Sequence, residues 1–348
     1  MSRRRGILSR GIAMTGKETL RIAIAGGGSW GTALGHVLAC GGHEVVLWAR
    51  DAAVVDAVNT AHENPRYLPG RALHERLRAT DDRAVFAVHD LVLLAVPCQH
   101  MREFLGHVRA YFVPGLVLVN ASKGIELDSL LRMSSLTREV LHPLDHSYVM
   151  LSGPSFAAEV LDGQPTAVVL ACEEEELGAR LRHAFSTSVF RCYSSTDVCG
   201  VELGGAVKNV MAIAAGLCDG LGLGHNSRGA LITRGLAEIS RLGAALGART
   251  GTFMGLSGLG DLVLSCTGDL SRNRRVGLEL AKGGELGEIV RRLGSVAEGV
   301  KTAFAVYSLG RAHGIETPIT DAVYAILQGA QTPRQAIEQL MRRGLKEE

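Results

Sequence analysis

An open, doubly wound α/β sheet followed by an all-α half is the architecture this sequence predicts. Three observations carry that expectation. Short apolar runs alternate with helical stretches from Arg21 to about Ser195, as they do where a parallel sheet is built from βαβ units. The runs are apolar on both faces, which strands covered by helices on either side require. Beyond Ser195 the strand signals fade and the chain reads helical to its end, a change of period that marks a domain boundary.

Length agrees, because 348 residues exceed the size at which one hydrophobic core stops growing. The expected division is a disordered extension at 1–20, a first domain at 21–195 and a helical second domain at 196–348. In the first domain, strands are predicted at Arg21–Ala25, Glu44–Trp48, Leu91–Val96, Leu116–Asn120, Tyr148–Leu151, Ala167–Leu170 and Val189–Tyr193. Helices are predicted between them, near Trp30–Cys40, Ala52–Ala61, Met101–Ala110, Leu130–Leu141, Ser155–Leu161 and Glu174–Phe185. The second domain reads as helices at Val198–Leu217, Gly229–Leu246, Leu259–Leu264, Ser271–Ala281, Thr302–His313, Ile319–Gln328 and Pro333–Arg342.

Composition narrows the function. With 37 Lys+Arg against 35 Asp+Glu the formal charge is +2, so no global field draws nucleic acid, and an anion must be met by a local site. The seven cysteines lack the paired spacing of a zinc site or a disulfide framework, which reads as reduced thiols in a cytoplasmic protein. No apolar run approaches the roughly 20 residues of a membrane span, so stable membrane insertion is not expected. Arg3, Arg4, Arg5 and Arg10 precede no apolar stretch of the secretory kind; a transit-type peptide is the alternative.

Directly after the first strand, Gly26-Gly27-Gly28-Ser29-Trp30-Gly31 contains Gly-x-Gly-x-x-Gly on Gly26, Gly28 and Gly31 and opens a helix. The first glycine permits a tight turn, the second lets backbone approach a pyrophosphate, and the third lets the helix sit close to the strand. The helix N-terminus then offers free N–H groups and its positive end to the phosphates. That context makes the first domain Rossmann-like and its cofactor NAD or NADP. Arg50 lies 22 residues past Gly28 (50 − 28), where an arginine accepts the 2′-phosphate of NADP and an acid would favour NAD. Asp51 follows it, so both cofactors stay open.

Six segments, in order, are similar to the soluble bacterial NAD(P)-dependent glycerol-3-phosphate dehydrogenases: Gly28-Ser29-Trp30-Gly31-Thr32-Ala33-Leu34, Asn120-Ala121-Ser122-Lys123-Gly124-Ile125-Glu126, Leu151-Ser152-Gly153-Pro154-Ser155-Phe156-Ala157, Glu202-Leu203-Gly204-Gly205-Ala206-Val207-Lys208-Asn209, Gly260-Asp261-Leu262 and Ser271-Arg272-Asn273-Arg274. The resemblance runs from Arg21 to about Glu298. It implies interconversion of dihydroxyacetone phosphate and sn-glycerol 3-phosphate by hydride transfer, feeding phospholipid synthesis.

Reducing a ketone needs an acid for the developing alkoxide and cationic groups around it, and a phosphate needs charged, preferably bidentate donors. By the resemblance, Lys208 is the catalytic acid/base and Asn209 helps to orient substrate. An apolar helix around Lys208 would lower its pKa toward neutrality. Lys123 is implied as a second cation touching substrate and cofactor, with Gly153 and Ser155 lining the substrate and Ala157 the cofactor. Asp261 is implied to orient Lys208 or bind a substrate hydroxyl; as a bare feature it reads equally as a helix N-cap. Ser271, Arg272 and Asn273 are implied to hold the phosphate, Arg272 touching the cofactor too, and Val296 and Glu298 to close over the cofactor. No metal-ligand cluster is visible, and an apolar helical half is compatible with a homodimer. Two rivals remain: a dehydrogenase of 3-hydroxy acids or ketopantoate, which would not require the Ser271-Arg272-Asn273 cradle, and a non-catalytic dinucleotide sensor, which would not require both lysines.

Overall fold

The computed structural model describes residues 19–293 and 298–344. The expected extension at 1–20 therefore lies outside the described residues but for its last two, and so does Val296. The strands are β1 (Arg21–Ala25), β2 (Glu44–Trp48), β3 (Arg78–Thr80), β4 (Leu91–Leu94), β5 (Leu116–Asn120), β6 (His146–Ser152), β7 (Thr166–Cys172) and β8 (Phe190–Ser195). They form a single sheet in the order β3-β2-β1-β4-β5-β6-β7-β8. β1 pairs in parallel with β2 on one side and β4 on the other, Ile24 lying opposite Leu47 and Leu93. The chain thus steps outward from β1 in both directions, which makes the C-terminal end of β1 the switch point at which open α/β sheets take ligands.

Two features of the sheet depart from the sequence reading. β3 is only three residues long, too short for a period to register, and it is fixed by a side chain instead. The amide of Asn59 donates to the Ala79 carbonyl and accepts from the Ala79 N–H, both at 2.9 Å. The second departure is direction: β7 runs antiparallel to β6, with Leu151 opposite Leu170, in a sheet expected to be parallel. A seven-residue strand spans about 23 Å, but the segment between β6 and β7 holds only the five-residue helix Ala157–Leu161, about 7.5 Å long. That helix cannot carry the chain back along the strand, so the chain turns and β7 returns against β6. β8 follows the eleven-residue helix Glu175–Phe185 and is parallel to β7 again.

Ile22, Ile24, Leu34, Leu47 and Leu93 are fully enclosed at the centre of this first compact unit, which runs up to residue 122 and resumes at 133–198. The second unit comprises 123–132 together with the described residues from 199 onward. The sequence reading places those ten residues with the sheet; the side chain of Ile125 instead lies in the second unit's core.

The second unit is helical, centred on Val198–Gly220. By length and composition this helix matches a membrane span, yet 94% of its most apolar window is buried within the protein, so tertiary packing accounts for its apolarity. Leu286–Arg292 is a helix that the sequence reading misses; seven residues give barely two turns, and its place is set by Ile289 packing on Val276. Glu238 is a further buried charge, 1% exposed. It accepts from the N–H groups of Ile319 (2.8 Å) and Thr320 (3.0 Å) and from the Thr320 hydroxyl (2.6 Å), capping the helix Pro318–Leu327 from a distant element. Burial pushes its carboxyl pKa up against those hydrogen bonds. Glu238→Ala strands three buried donors, and the expected loss is about 1–3 kcal/mol, read as a lower urea midpoint at unchanged m-value; an unmoved midpoint would mean that the donors find other acceptors.

Candidate functional site

The glycine loop is set by the protein's own crowding. Gly26 adopts φ +121°, and a Cβ there would lie 2.6 Å from the Ala95 carbonyl oxygen. A Cβ on Gly31 would stand 2.0 Å from the Gly26 carbonyl oxygen, whereas one on Gly28 would meet nothing within 4 Å. The first and third glycines are therefore demanded by internal packing, and the second leaves open space outside the loop. Gly28 is also the N-cap of the helix Ser29–Cys40 and brings no side-chain acceptor to the first-turn N–H groups. Those donors and the positive helix end remain for an anion, so the residues present fit a dinucleotide pyrophosphate. Ser29 and Trp30 begin that helix, and the buried Trp30 indole N–H has no hydrogen-bond partner among the described residues.

Behind the loop stands Asn64, fully buried and not singled out by the sequence reading. Its amide nitrogen donates to the Gly27 carbonyl at 3.0 Å and to the Thr32 hydroxyl at 2.8 Å, tying the loop to the helix that follows it. No motif marks an asparagine 37 residues from its partner. Arg50, two positions past β2, is exposed and has no hydrogen-bond or ion-pair partner among the described residues. Its neighbour Asp51 is committed: it caps the helix Ala52–Thr60 through the Ala53 N–H at 3.0 Å and pairs with Arg66. The arginine, not the acid, is thus left for a ligand.

Gly153 follows β6 with φ +143°, and a Cβ there would lie 2.9 Å from the Val168 Cα. The Ser155 hydroxyl donates to the Gly153 carbonyl at 3.1 Å, and Ala157 begins the next helix.

The second unit gathers two of the expected lysines around a third expected residue, one carboxylate. Asp261, 1% exposed, accepts from Lys208 Nζ at 2.5 Å and from Lys123 Nζ at 2.6 Å. It does not cap its helix; Gly260 holds the N-cap position of Asp261–Thr267. Sequence explains the approach. Gly204 stands one turn before Lys208 on the same helix face, and a Cβ there would lie 2.5 Å from the Ser257 carbonyl oxygen, so glycine admits the π-helical turn Leu256–Gly260 that delivers Asp261. Ser265 accepts from Lys208 at 2.9 Å; the sequence reading overlooks it, although Asp261 and Ser265 share one helix face at i, i+4.

Burial dominates the electrostatics. It lowers the Lys208 pKa from 10.5 to about 8, with Asp261 opposing and the Lys123 charge reinforcing the drop. A shift of that size costs the charged amine about 3 kcal/mol, so desolvation outweighs the adjacent carboxylate.

Nearby on the helix Arg272–Ala281, Ser271 is the N-cap and accepts from the Arg274 N–H at 3.3 Å. Asn273 donates to the Asn209 side-chain oxygen at 3.0 Å and accepts from the Gly299 N–H at 3.1 Å, which fixes Asn209, itself buried, and the start of Glu298–Ala312. Arg274 is held by Asp219 (2.7 Å) and Asp269 (3.0 Å), and Arg275 by the Asp269 carbonyl (3.0 Å). Arg272 is exposed without a partner among the described residues, so its guanidinium is the one this basic turn leaves for a ligand. Glu298 opens its helix.

Comparison with known proteins bears on this arrangement. Residues 21–178 match the family described as NAD-dependent glycerol-3-phosphate dehydrogenase N-terminus, and residues 197–338 match its C-terminal counterpart. The chain is 59% identical over 331 residues to the glycerol-3-phosphate dehydrogenase [NAD(P)+] of Desulfovibrio desulfuricans, covering 95% of this chain and 99% of the relative. It is likewise 59% identical over 330 residues to the enzyme of that name from Nitratidesulfovibrio vulgaris, covering 94% of this chain and 100% of the relative. The crystal structure of glycerol-3-phosphate dehydrogenase from Coxiella burnetii superposes with a TM-score of 0.89 at 38% identity, over 93% of this chain and 99% of that one.

Asn64→Ala leaves the Gly27 carbonyl and the Thr32 hydroxyl without their donor. The dissociation constant for NADH, followed by fluorescence titration, is expected to rise on the order of tenfold, the equivalent of about 1.4 kcal/mol. Parent affinity in a folded variant would show that the glycine loop holds its shape unaided.

Proposed function

The chain belongs to the NAD-dependent glycerol-3-phosphate dehydrogenase family, and on that premise we propose that it interconverts dihydroxyacetone phosphate and sn-glycerol 3-phosphate with Lys208 as proton donor and acceptor. The observation that carries this reading is the pair of lysines on one buried carboxylate, with the Lys208 pKa at about 8. A carbonyl oxygen turning into an alkoxide needs positive charge beside it and a proton within reach. Lys208 supplies both, and Lys123 adds a second charge that polarises the carbonyl and fixes the substrate. Asp261 holds the two amines together and keeps Lys208 from straying out of line.

When bound, the reduced nicotinamide of NADH or NADPH supplies the hydride. Lys208 Nζ gives its proton to the oxygen on C2 in the reducing direction and takes one from the hydroxyl in the oxidising direction. Arg272 receives the substrate phosphate through its guanidinium fork and reaches the cofactor, with Ser271 and Asn273 beside it. Asn209, braced by Asn273, orients the substrate, and Gly153 and Ser155 line it. Gly26, Gly28, Ser29, Trp30 and Gly31 take the pyrophosphate end of the cofactor, Arg50 its 2′-phosphate, and Ala157, Val296 and Glu298 its remaining surface. Seven free thiols suit a reducing compartment, and the cytoplasm is the location this reading assigns.

Lys208→Ala is expected to cut turnover by roughly 10²- to 10⁴-fold, the usual loss on removing a general acid/base, while NADH still binds with near-parent affinity. Turnover within a few-fold of the parent would sink the assignment. In the parent, kcat/KM for ketone reduction should be flat below pH about 8 and fall above it as Lys208 loses its proton; for alcohol oxidation the profile should rise through the same pH, because the neutral amine is then the active form. Profiles lacking a limb near that value would mean that another group moves the proton. Arg50→Asp should raise the KM for NADPH much more than that for NADH, and equal effects would remove Arg50 from the 2′-phosphate.

A further inference from the structure

The ten residues 123–132 leave the first unit and pack in the second, carrying Lys123 at one end and Arg132 at the other. Within the excursion the chain folds back on itself. Ile125 and Arg132 form an antiparallel bridge, and the Glu126 N–H donates to the Leu131 carbonyl at 3.0 Å. Leu130 makes the reversal with φ +58°, and its N–H donates to the Glu126 carbonyl at 3.0 Å. Ile125 sinks into the second unit's core. At the far end, Arg132 Nη1 lies 2.6 Å from the carboxylate of Glu202, whose side chain is 3% exposed. Glu202 sits on Val198–Gly220, six residues before Lys208 (208 − 202).

We propose that Arg132 is a positioning residue for the reaction, its ion pair with Glu202 clamping the 123–132 hairpin so that Lys123 meets Asp261. The inference rests on the reading of Lys123 and Lys208 given above. A carboxylate buried in an apolar helix costs stability unless it is paired, and Arg132, which pairs with Glu202, is the residue that closes the loop bearing Lys123. The bridge to Ile125 sets the Arg132 backbone beside the residue two positions past Lys123, so fixing one end of the hairpin fixes the other. Arg132 and Glu202 do their work through Lys123, not on the substrate.

The titratable groups that act on Lys208 are Asp261, Lys123 and Cys266. If the clamp is released and Lys123 withdraws, Lys208 loses the neighbouring positive charge that favours its deprotonation. The alkaline limb of the reduction profile should then move to higher pH; because rehydration of Lys208 in a loosened fold would move it the same way, the clamp is distinguished by the double variant, whose limb and rate should match those of Lys123→Ala alone.

The test compares Arg132→Ala, Arg132→Lys, Lys123→Ala and the double variant Arg132→Ala/Lys123→Ala for NADH affinity, kcat and KM for dihydroxyacetone phosphate, and pH profile; Arg132→Met, which keeps the packing of the stem, replaces Arg132→Ala if that chain does not fold. Arg132→Ala should bind NADH no more weakly than Lys123→Ala does and lose roughly tenfold to 10²-fold in kcat/KM, as a displacement near 1 Å does. Its alkaline limb should move upward, Arg132→Lys should recover part of the loss, and the double variant should be no slower than Lys123→Ala alone. The proposal is overturned if the two losses add in full, or if the limb stays in place. Parent turnover in Arg132→Ala beside an impaired Lys123→Ala would discard the clamp alone, whereas parent turnover in Lys123→Ala would discard the reading on which it rests.

Discussion

A single buried carboxylate shared by two lysines is the constraint to which the second unit answers. Asp261 is almost wholly enclosed, yet it faces two ammonium groups, leaving one positive charge in excess inside an apolar surround. An arrangement tuned for stability alone would pair one acid with one base or replace both by hydrocarbon. Here the excess charge and the desolvation act together to bring Lys208 down to about 8, so near neutral pH the amine can both give and take a proton. The same excess of positive charge would be offset by an anion placed beside it.

Such a cluster can form only if backbone comes close to backbone, and glycine is where the sequence permits it. Gly204 lets the Ser257 carbonyl come against the Lys208 helix, which brings Asp261 to the amine. Gly31 does the corresponding work in the first unit, where the start of Ser29–Cys40 rests on the Gly26 carbonyl. In both places a methyl group would hold apart segments that otherwise pack backbone to backbone. The open side of Gly28 is a different case, since none of the described residues fills it and the space remains for a ligand.

The helix Val198–Gly220 shows how a core element comes to carry buried polar groups. It is apolar enough by composition to resemble a membrane span, and its side chains, including Leu203, Val207 and Val210, are instead enclosed in the second unit's core. Besides Asp219 near its end, the helix carries three buried polar residues, Glu202, Lys208 and Asn209, each with a named partner: Arg132, Asp261 and Asn273. Every one of those partners comes from a segment distant in sequence. The cost of burying a polar group without a partner is what makes those long-range contacts obligatory, and the helix thereby draws Lys123, Arg132 and Arg272's own turn toward one region of the unit.

The sequence by itself determined the elements whose physics is local. Alternating apolar runs specified seven of the eight strands among the described residues, because period and covered faces are written within each strand. Gly26, Gly28 and Gly31 specified the loop, since its conformation depends on adjacent residues, and an apolar helix around Lys208 was enough to anticipate a lowered pKa. Tertiary structure alone decided matters that depend on distant residues. β3 needed Asn59, the reversal of β7 depended on the length of a short helix, and residues 123–132 joined the second unit through Ile125 and Arg132. It also decided the role of Asp261. From sequence a cap and a lysine partner were equally good readings, and only bringing together residues 53 and 138 positions away made that carboxylate the shared acceptor of two lysines. Ser265, Asn64 and the Arg132–Glu202 pair escaped sequence reasoning for the same physical reason: a hydrogen-bond partner is fixed by the folded path of the chain, and residue type and spacing do not encode that path.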